Sequence, residues 1–202
     1  MLLCDIGNTS YHFFDGVRSY KENVKQFDPS SITEDVYFIS VNTEVNNSLV
    51  TLSNWINLAE SIDKSSYYET MGLDRIVALE AVHNAVIVDA GSAITVDVKR
   101  EGIFEGGFIS AGLNAMSETY KSISPALSYE FNMALYTKKL PKNSQDAISY
   151  GYLKLLQTEV LSFELPIILT GGDSKSLQEL FPNAIQNENL IFDGMKKLII
   201  KL

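Results

Sequence analysis

Apolar residues fall along this chain in two rhythms, short continuous blocks suited to buried strands and longer blocks at helical spacing. The clearest block is residues 85–98, AVIVDAGSAITVDV. An apolar run over 86–88 ends at Asp89. A turn of small residues follows (Ala90, Gly91, Ser92, Ala93), then a second β-branched run over 94–98. The same text opens the chain, with an apolar run over 1–4, then Asp5, a turn through Ile6, Gly7, Asn8, Thr9 and Ser10, and a strand over 11–14. Aligning Asp5 on Asp89 also aligns Gly7 on Gly91 and Asn8 on Ser92. Turns favour Asp, Gly and Asn everywhere, so one such run says little. Two copies in matching strand–turn–strand settings, each opening a half of the chain, predict an internal duplication.

The remaining pattern fills out both halves. Residues 16–20 predict a third strand, 21–33 a polar connection or helix, and 36–41 a strand rich in β-branched and aromatic residues. Residues 43–57 predict a helix carrying Val45, Leu49, Leu52 and Trp55 on one side, with Trp55 as a core anchor. A short strand over 58–62 and a helix over 76–84, including His83, complete the first half. In the second half Gly102 bends the chain into a strand over 103–109, followed by a helix over 111–122. Pro141 and Asn143 open a long helix over 144–163. An apolar strand over 167–169 ends in Thr170, Gly171, Gly172 and Asp173, before helices over 174–181 and 189–200. Each half runs strand, acidic turn, strand, strand, helix, strand, helix. That order places helices against a mixed sheet in an α/β fold. The expected division is one lobe over 1–80 and another over 81–202.

Composition narrows the setting. The 202 residues are 46% hydrophobic, enough for one core or two small ones, and the formal net charge of −9 disfavours a nucleic-acid backbone or an anionic membrane as partner. Cys4, the one cysteine, lies inside an apolar run and reads as a small core residue. No apolar run reaches membrane-spanning length, and Met1 leads directly into a strand without a basic, signal-like start, so a cytoplasmic protein is expected.

An acid at a strand end followed by glycine and hydroxyls suits an anionic ligand held with a metal. The carboxylate holds a cation or its waters, glycine admits phosphate close to the backbone, and hydroxyls with exposed N–H groups donate to its oxygens. The chain has no Walker-type loop, no G-x-G-x-x-G and no protein-kinase motif set, so phosphate handling must rest on the paired turns. A second feature is Gly72, Leu73, Asp74 and Arg75. Asp74 reads either as a helix N-cap with Arg75 in a surface pair, or as a base accepting a substrate hydroxyl proton beside an anion-binding Arg75. His12 and His83 offer no histidine pair for a metal.

Four motifs occur together in order: Asp5-Ile6-Gly7-Asn8-Thr9, Gly72-x-Asp74-Arg75, Asp89-Ala90-Gly91-Ser92-Ala93-x-Thr95-x-Asp97, and Gly106-Gly107-x-Ile109. This combination resembles the type III pantothenate kinases, and more narrowly their short ε-proteobacterial forms, nearly end to end. The resemblance implies two duplicated ribonuclease-H-like lobes of the actin-like ATPase superfamily, with the nucleotide in the cleft between them. It implies that Asp5, Ile6, Gly7, Asn8, Thr9, Ser10, Tyr11 and His12 line the ATP phosphates, that Ser92 also contacts ATP, and that Asp5 stands near Mg2+, through water. Asp74 becomes the base. Tyr68 (or Tyr67), Gly72, Leu73, Asp74, Arg75 and Ser144 become substrate contacts, and Asp89 the ligand of a monovalent cation, K+ or NH4+. A homodimer is implied as well. Two positions depart from the family pattern: Ala111 stands where the family's G-G-x-I-x-P-G loop has proline, and the proline between the tyrosine and G-x-D-R is missing. The expected activity is ATP-dependent conversion of pantothenate to 4′-phosphopantothenate, the first step toward coenzyme A. The alternatives are a kinase of another small hydroxyl or carboxylate substrate, and a non-catalytic nucleotide-binding regulator of the same fold.

Overall fold

The computed structural model describes residues 1–135 and 139–201. It divides into two units, Met1–Val82 with Asn189–Leu202, and His83–Glu188.

The first unit is built on strands β1 (Leu2–Ile6), β2 (Ser10–Phe14), β3 (Ser19–Asn23), β4 (Val36–Ser40) and β5 (Trp55–Asn57), in the order β3-β2-β1-β4-β5. β1 runs antiparallel to β2 and parallel to β4. β1 is apolar on both faces because both are covered. Leu2, Cys4 and Ile6 pack with Tyr11, Phe13, Phe38 and Trp55 against Val45 and Leu49 of helix α1 (Thr43–Leu49). On the other face Leu3, Phe14 and Ile39 meet Val77 of α2 (Leu73–Glu80) and Phe192, Met195 and Leu198 of the last helix (Leu190–Ile199). The last helix therefore belongs to the first unit and not, as the expected division over 81–202 has it, to the second. Its apolar stripe completes the core that β1 leaves open on that face.

The second unit repeats the topology. Its strands are β6 (Ala85–Ala90), β7 (Ala93–Arg100), β8 (Ile103–Ala111), β9 (Ile167–Thr170) and β10 (Ile185–Gln186). Read from β8, the order β8-β7-β6-β9-β10 matches β3-β2-β1-β4-β5, with the same antiparallel and parallel neighbours. Helix α3 (Leu113–Ile123) follows β8, and the long α4 (Ser144–Ser162) packs Tyr152, Leu153, Leu156 and Val160 on Val88, Ile94, Val96 and Leu169 of the sheet. A short α5 (Ser174–Leu177) follows β9, and the last helix is α6.

Several elements differ from the sequence pattern. The helix expected over 43–57 stops at Leu49, and Trp55 is a buried strand residue paired with Val36. Asn54 donates to the carbonyls of Ile32 and Glu34, both at 2.9 Å, so strand pairing at 55–57 overrides the helical spacing. Residues 58–61 form a 3-10 turn rather than a strand, because the Asn57 side chain accepts the Ala59 N–H at 2.9 Å and turns the chain. His83 lies past the end of α2, exposed, outside any helix. Helix 174–181 shortens to one turn, and β10 had no sequence signal.

Candidate functional site

Asp5 sits in the last part of β1, opposite His12 of β2 and beside Ile39 of β4. The turn that follows is closed by the Gly7 N–H donating to the Ser10 carbonyl at 3.0 Å. Asn8 and Thr9 are exposed at its tip, whereas Ile6 and Tyr11 are buried in the core. Of the residues expected along the ATP phosphates, Ile6 and Tyr11 therefore offer a ligand only backbone groups. His12 is half-buried, its ring 4.9 Å from that of Phe192, and burial first, then the cross-strand Lys21 charge, lowers its pKa to about 4. The imidazole is neutral at physiological pH. Burial, and secondarily Asp5, raises the Cys4 thiol, which is inert.

The motif around Asp74 opens α2. Gly72 is the N-cap and supplies no capping side chain, and Asp74 lies in the first turn, where a carboxylate is favoured by the helix dipole. The Asp74 Oδ1 accepts the Arg75 N–H at 2.9 Å. Both alternatives left by the sequence are thereby narrowed: Asp74 is not the N-cap, and Arg75, 7% exposed, is not a surface partner. Arg75 Nη1 donates to the Tyr68 hydroxyl at 2.5 Å, with the guanidinium 5.8 Å from the Tyr68 ring centre. Tyr67 instead donates to Glu80 at 3.1 Å, at the far end of α2. Tyr68, Gly72, Asp74 and Arg75 thus form one cluster.

In the second unit, Asp89 occupies the place in β6 that Asp5 has in β1, opposite Thr95 and beside Thr170. Its Oδ1 lies where a β-carbon on Gly171 would stand, and Gly171 adopts φ +85°, so that position accepts only glycine. The Asp173 N–H donates to the Ala90 carbonyl at 2.9 Å, and the Gly112 N–H to the Ser92 carbonyl at 3.1 Å. These bonds draw three chain segments around a cavity of about 300 Å³ lined by Gly91, Ser92, Asn114, Ala115, Gly172 and Asp173. Sequence reasoning singled out only Ser92 among its polar side chains. Asp173 had a signal, the Thr-Gly-Gly-Asp end of an apolar strand; Asn114 had none, being one polar position in an amphipathic helix.

Ser144 is the first residue of α4 and is exposed. The Asn143 side chain caps the helix, accepting the Asp146 N–H at 2.9 Å and donating to the Asp146 carboxylate at 2.6 Å. Hydrogen bonds from Asn132 and then Asn143 hold the Asp146 carboxyl below its usual range.

Among the described residues no group of three or more His, Cys, Asp or Glu side chains could hold a metal ion. Asp89, Thr95 and Thr170 are strand neighbours carrying oxygen-bearing side chains, the ligand type a hard cation takes.

Two five-stranded sheets of one topology, each with an acid near a strand end before a glycine turn, define the actin-like ATPase and sugar-kinase fold class. The fold likeness extends to a Sinorhizobium meliloti structure described as a 2-dehydro-3-deoxygalactonokinase, with a TM-score of 0.56 at 10% identity over 99% of this chain and 98% of that one. The chain belongs to the type III pantothenate kinase family. The profile of that family matches residues 34–163. The chain is 57% identical to the type III pantothenate kinase of Sulfurimonas denitrificans over 201 residues, covering 100% of this chain and 98% of the relative. It is 40% identical to that of Helicobacter hepaticus over 100% and 99%. A Campylobacter jejuni crystal structure described as a Baf family transcriptional activator superposes with a TM-score of 0.86 at 35% identity, over 100% and 98% of the two chains.

Proposed function

We propose that this protein transfers the γ-phosphoryl group of ATP to the primary hydroxyl of pantothenate, giving 4′-phosphopantothenate for coenzyme A synthesis. Family membership over the full chain supports the reaction. The observation that carries the substrate side is the buried Arg75 held by Tyr68, one residue from Asp74. A guanidinium presents a planar fork of donors that matches a carboxylate, and pantothenate carries one.

In this reading Asp74 orients the attacking hydroxyl and accepts its proton. Arg75 and Tyr68 hold the carboxylate end, and Gly72 and Leu73 bring backbone to the substrate. Ser144 touches the substrate from α4. The turns after Asp5 and Asp89 hold the phosphates through backbone N–H groups and the Asn8, Thr9, Ser10 and Ser92 side chains, with His12 neutral beside Asp5. Asn114, Ala115, Gly172 and Asp173 line the cavity that Ser92 shares. Mg2+ near Asp5 and a monovalent cation at Asp89 offset phosphate charge when bound. A cytoplasmic homodimer is part of the same reading; no helix among the described residues is long and apolar enough to cross a membrane.

The description of the Campylobacter jejuni structure favours a second reading, a regulator that binds nucleotide without catalysis. ADP release from purified protein with Mg-ATP and pantothenate, with and without K+ or NH4+, separates the two. Pantothenate-dependent ADP that disappears in Asp74→Asn supports the kinase; ATP binding without pantothenate-dependent ADP in any cation supports the regulator.

A further inference from the structure

Ala111 ends β8 just before the chain turns into α3. Because the Gly112 N–H donates to the Ser92 carbonyl, residues 92 and 112 form a hydrogen-bonded pair of the antiparallel ladder. The neighbouring pair, Ala93 and Ala111, is then non-hydrogen-bonded, and both backbone groups of Ala111 point away from β7. β8 is the edge of its sheet, so no further strand takes them up. The Ala111 carbonyl is taken up instead by the hydroxyl of Tyr152 on α4. Tyr152 is 7% exposed and packs against Phe131 with ring centres 5.2 Å apart. Burial raises its hydroxyl pKa, a Ser110 hydrogen bond partly offsetting this, so it stays a donor.

We propose that Tyr152 is a positioning residue for the Ser92 turn, acting through Ala111 and Gly112. The coupling is short and stiff. The Gly112 Cα lies so close to the Gly91 and Ser92 carbonyls that a β-carbon there would overlap both. Asn114 and Ala115, in the next turn of chain, line the same cavity as Gly91 and Ser92. One hydroxyl on α4 therefore fixes the junction that sets both the turn and the start of α3. At a sheet edge it does what a neighbouring strand would do, and it stiffens a position where the family pattern has proline.

The inference rests on the reading that this turn holds the nucleotide, and binding of Mg-ATP tests it without turnover. Calorimetric titration of wild type, Tyr152→Phe and the Tyr152→Phe/Ala111→Pro double variant is paired with KM values for ATP and pantothenate. Loss of one neutral hydrogen bond acting on the turn weakens ATP binding about three- to tenfold. The KM for pantothenate stays unchanged. Proline at 111 recovers ATP affinity, since it fixes φ and its missing N–H faces away from the ladder. Unchanged ATP affinity in Tyr152→Phe, or equal loss for ATP and pantothenate, overturns the proposal. So does a double variant that recovers melting temperature without ATP affinity. A wild type that binds ATP without using pantothenate refutes the kinase reading alone and leaves the calorimetric comparison of the variants intact; one that binds no ATP refutes both.

Discussion

The Asp74 carboxylate folds back over Gly72, its Oδ1 2.5 Å from the place a β-carbon on Gly72 would take. The glycine of Gly72-x-Asp74-Arg75 therefore makes room for the proposed base. In Gly72→Ala the methyl displaces Asp74, and misplacement of a catalytic group by about 1 Å costs up to about 100-fold in rate. A kcat lowered about 10- to 100-fold is expected, with a melting temperature near that of wild type. Unchanged kcat would show that Asp74 need not sit there.

Asp74→Asn keeps the shape and removes the basic oxygen. General base catalysis contributes about 10²- to 10⁴-fold, so kcat falls by that range while Mg-ATP affinity is kept. Steady-state kinetics with calorimetry on one preparation decides the matter.

Tyr68→Phe removes the hydroxyl that meets Arg75 at 2.5 Å. A hydrogen bond to a charged group is worth about 1.5–3 kcal/mol, so the KM for pantothenate is expected to rise about tenfold or more while that for ATP holds. Tyr67→Phe, which touches Glu80 instead, leaves both constants near wild type. The reverse pattern would transfer the substrate contact to Tyr67.

His12 titrates at about 4 in the folded chain and near 6.5 when unfolded. Between these values the unfolded chain binds the extra proton, so stability rises with pH through that window. The contribution is complete above pH 6.5, is lost progressively as pH falls toward 4, and changes no further below. Discounted for the half-exposed ring, it amounts to about 1–2 kcal/mol. Denaturant unfolding of wild type and His12→Gln between pH 4 and 7 checks this: the wild-type curve steepens relative to the variant, and parallel curves would refute it.

Gly194 of α6 lies so close to α2 that a β-carbon there would overlap the Val77 carbonyl. Backbone cannot yield as a side chain tip does. Gly194→Ala is expected to destabilise by about 1–3 kcal/mol, read as a lowered midpoint in urea.

The sequence by itself determined the duplication and the residues that make its two turns. Asp5 and Asp89 each end a continuous apolar run shortly before a glycine, and local residue order suffices to make a strand, an acid and a turn. It equally determined Asp74 and Arg75 as neighbours, and the amphipathic closing helix. Only the tertiary structure decided where that helix goes: β1 carries apolar residues on both faces, and Val77, Phe192 and Met195 cover one of them. It also decided that Trp55 belongs to a strand, because Asn54 and the pairing with Val36 outweigh helical spacing. The cavity beside Ser92 was not legible in advance. Its walls come from three segments far apart in the chain, joined by the Gly112 to Ser92 and Asp173 to Ala90 backbone bonds, and backbone bonds leave no mark on side-chain pattern.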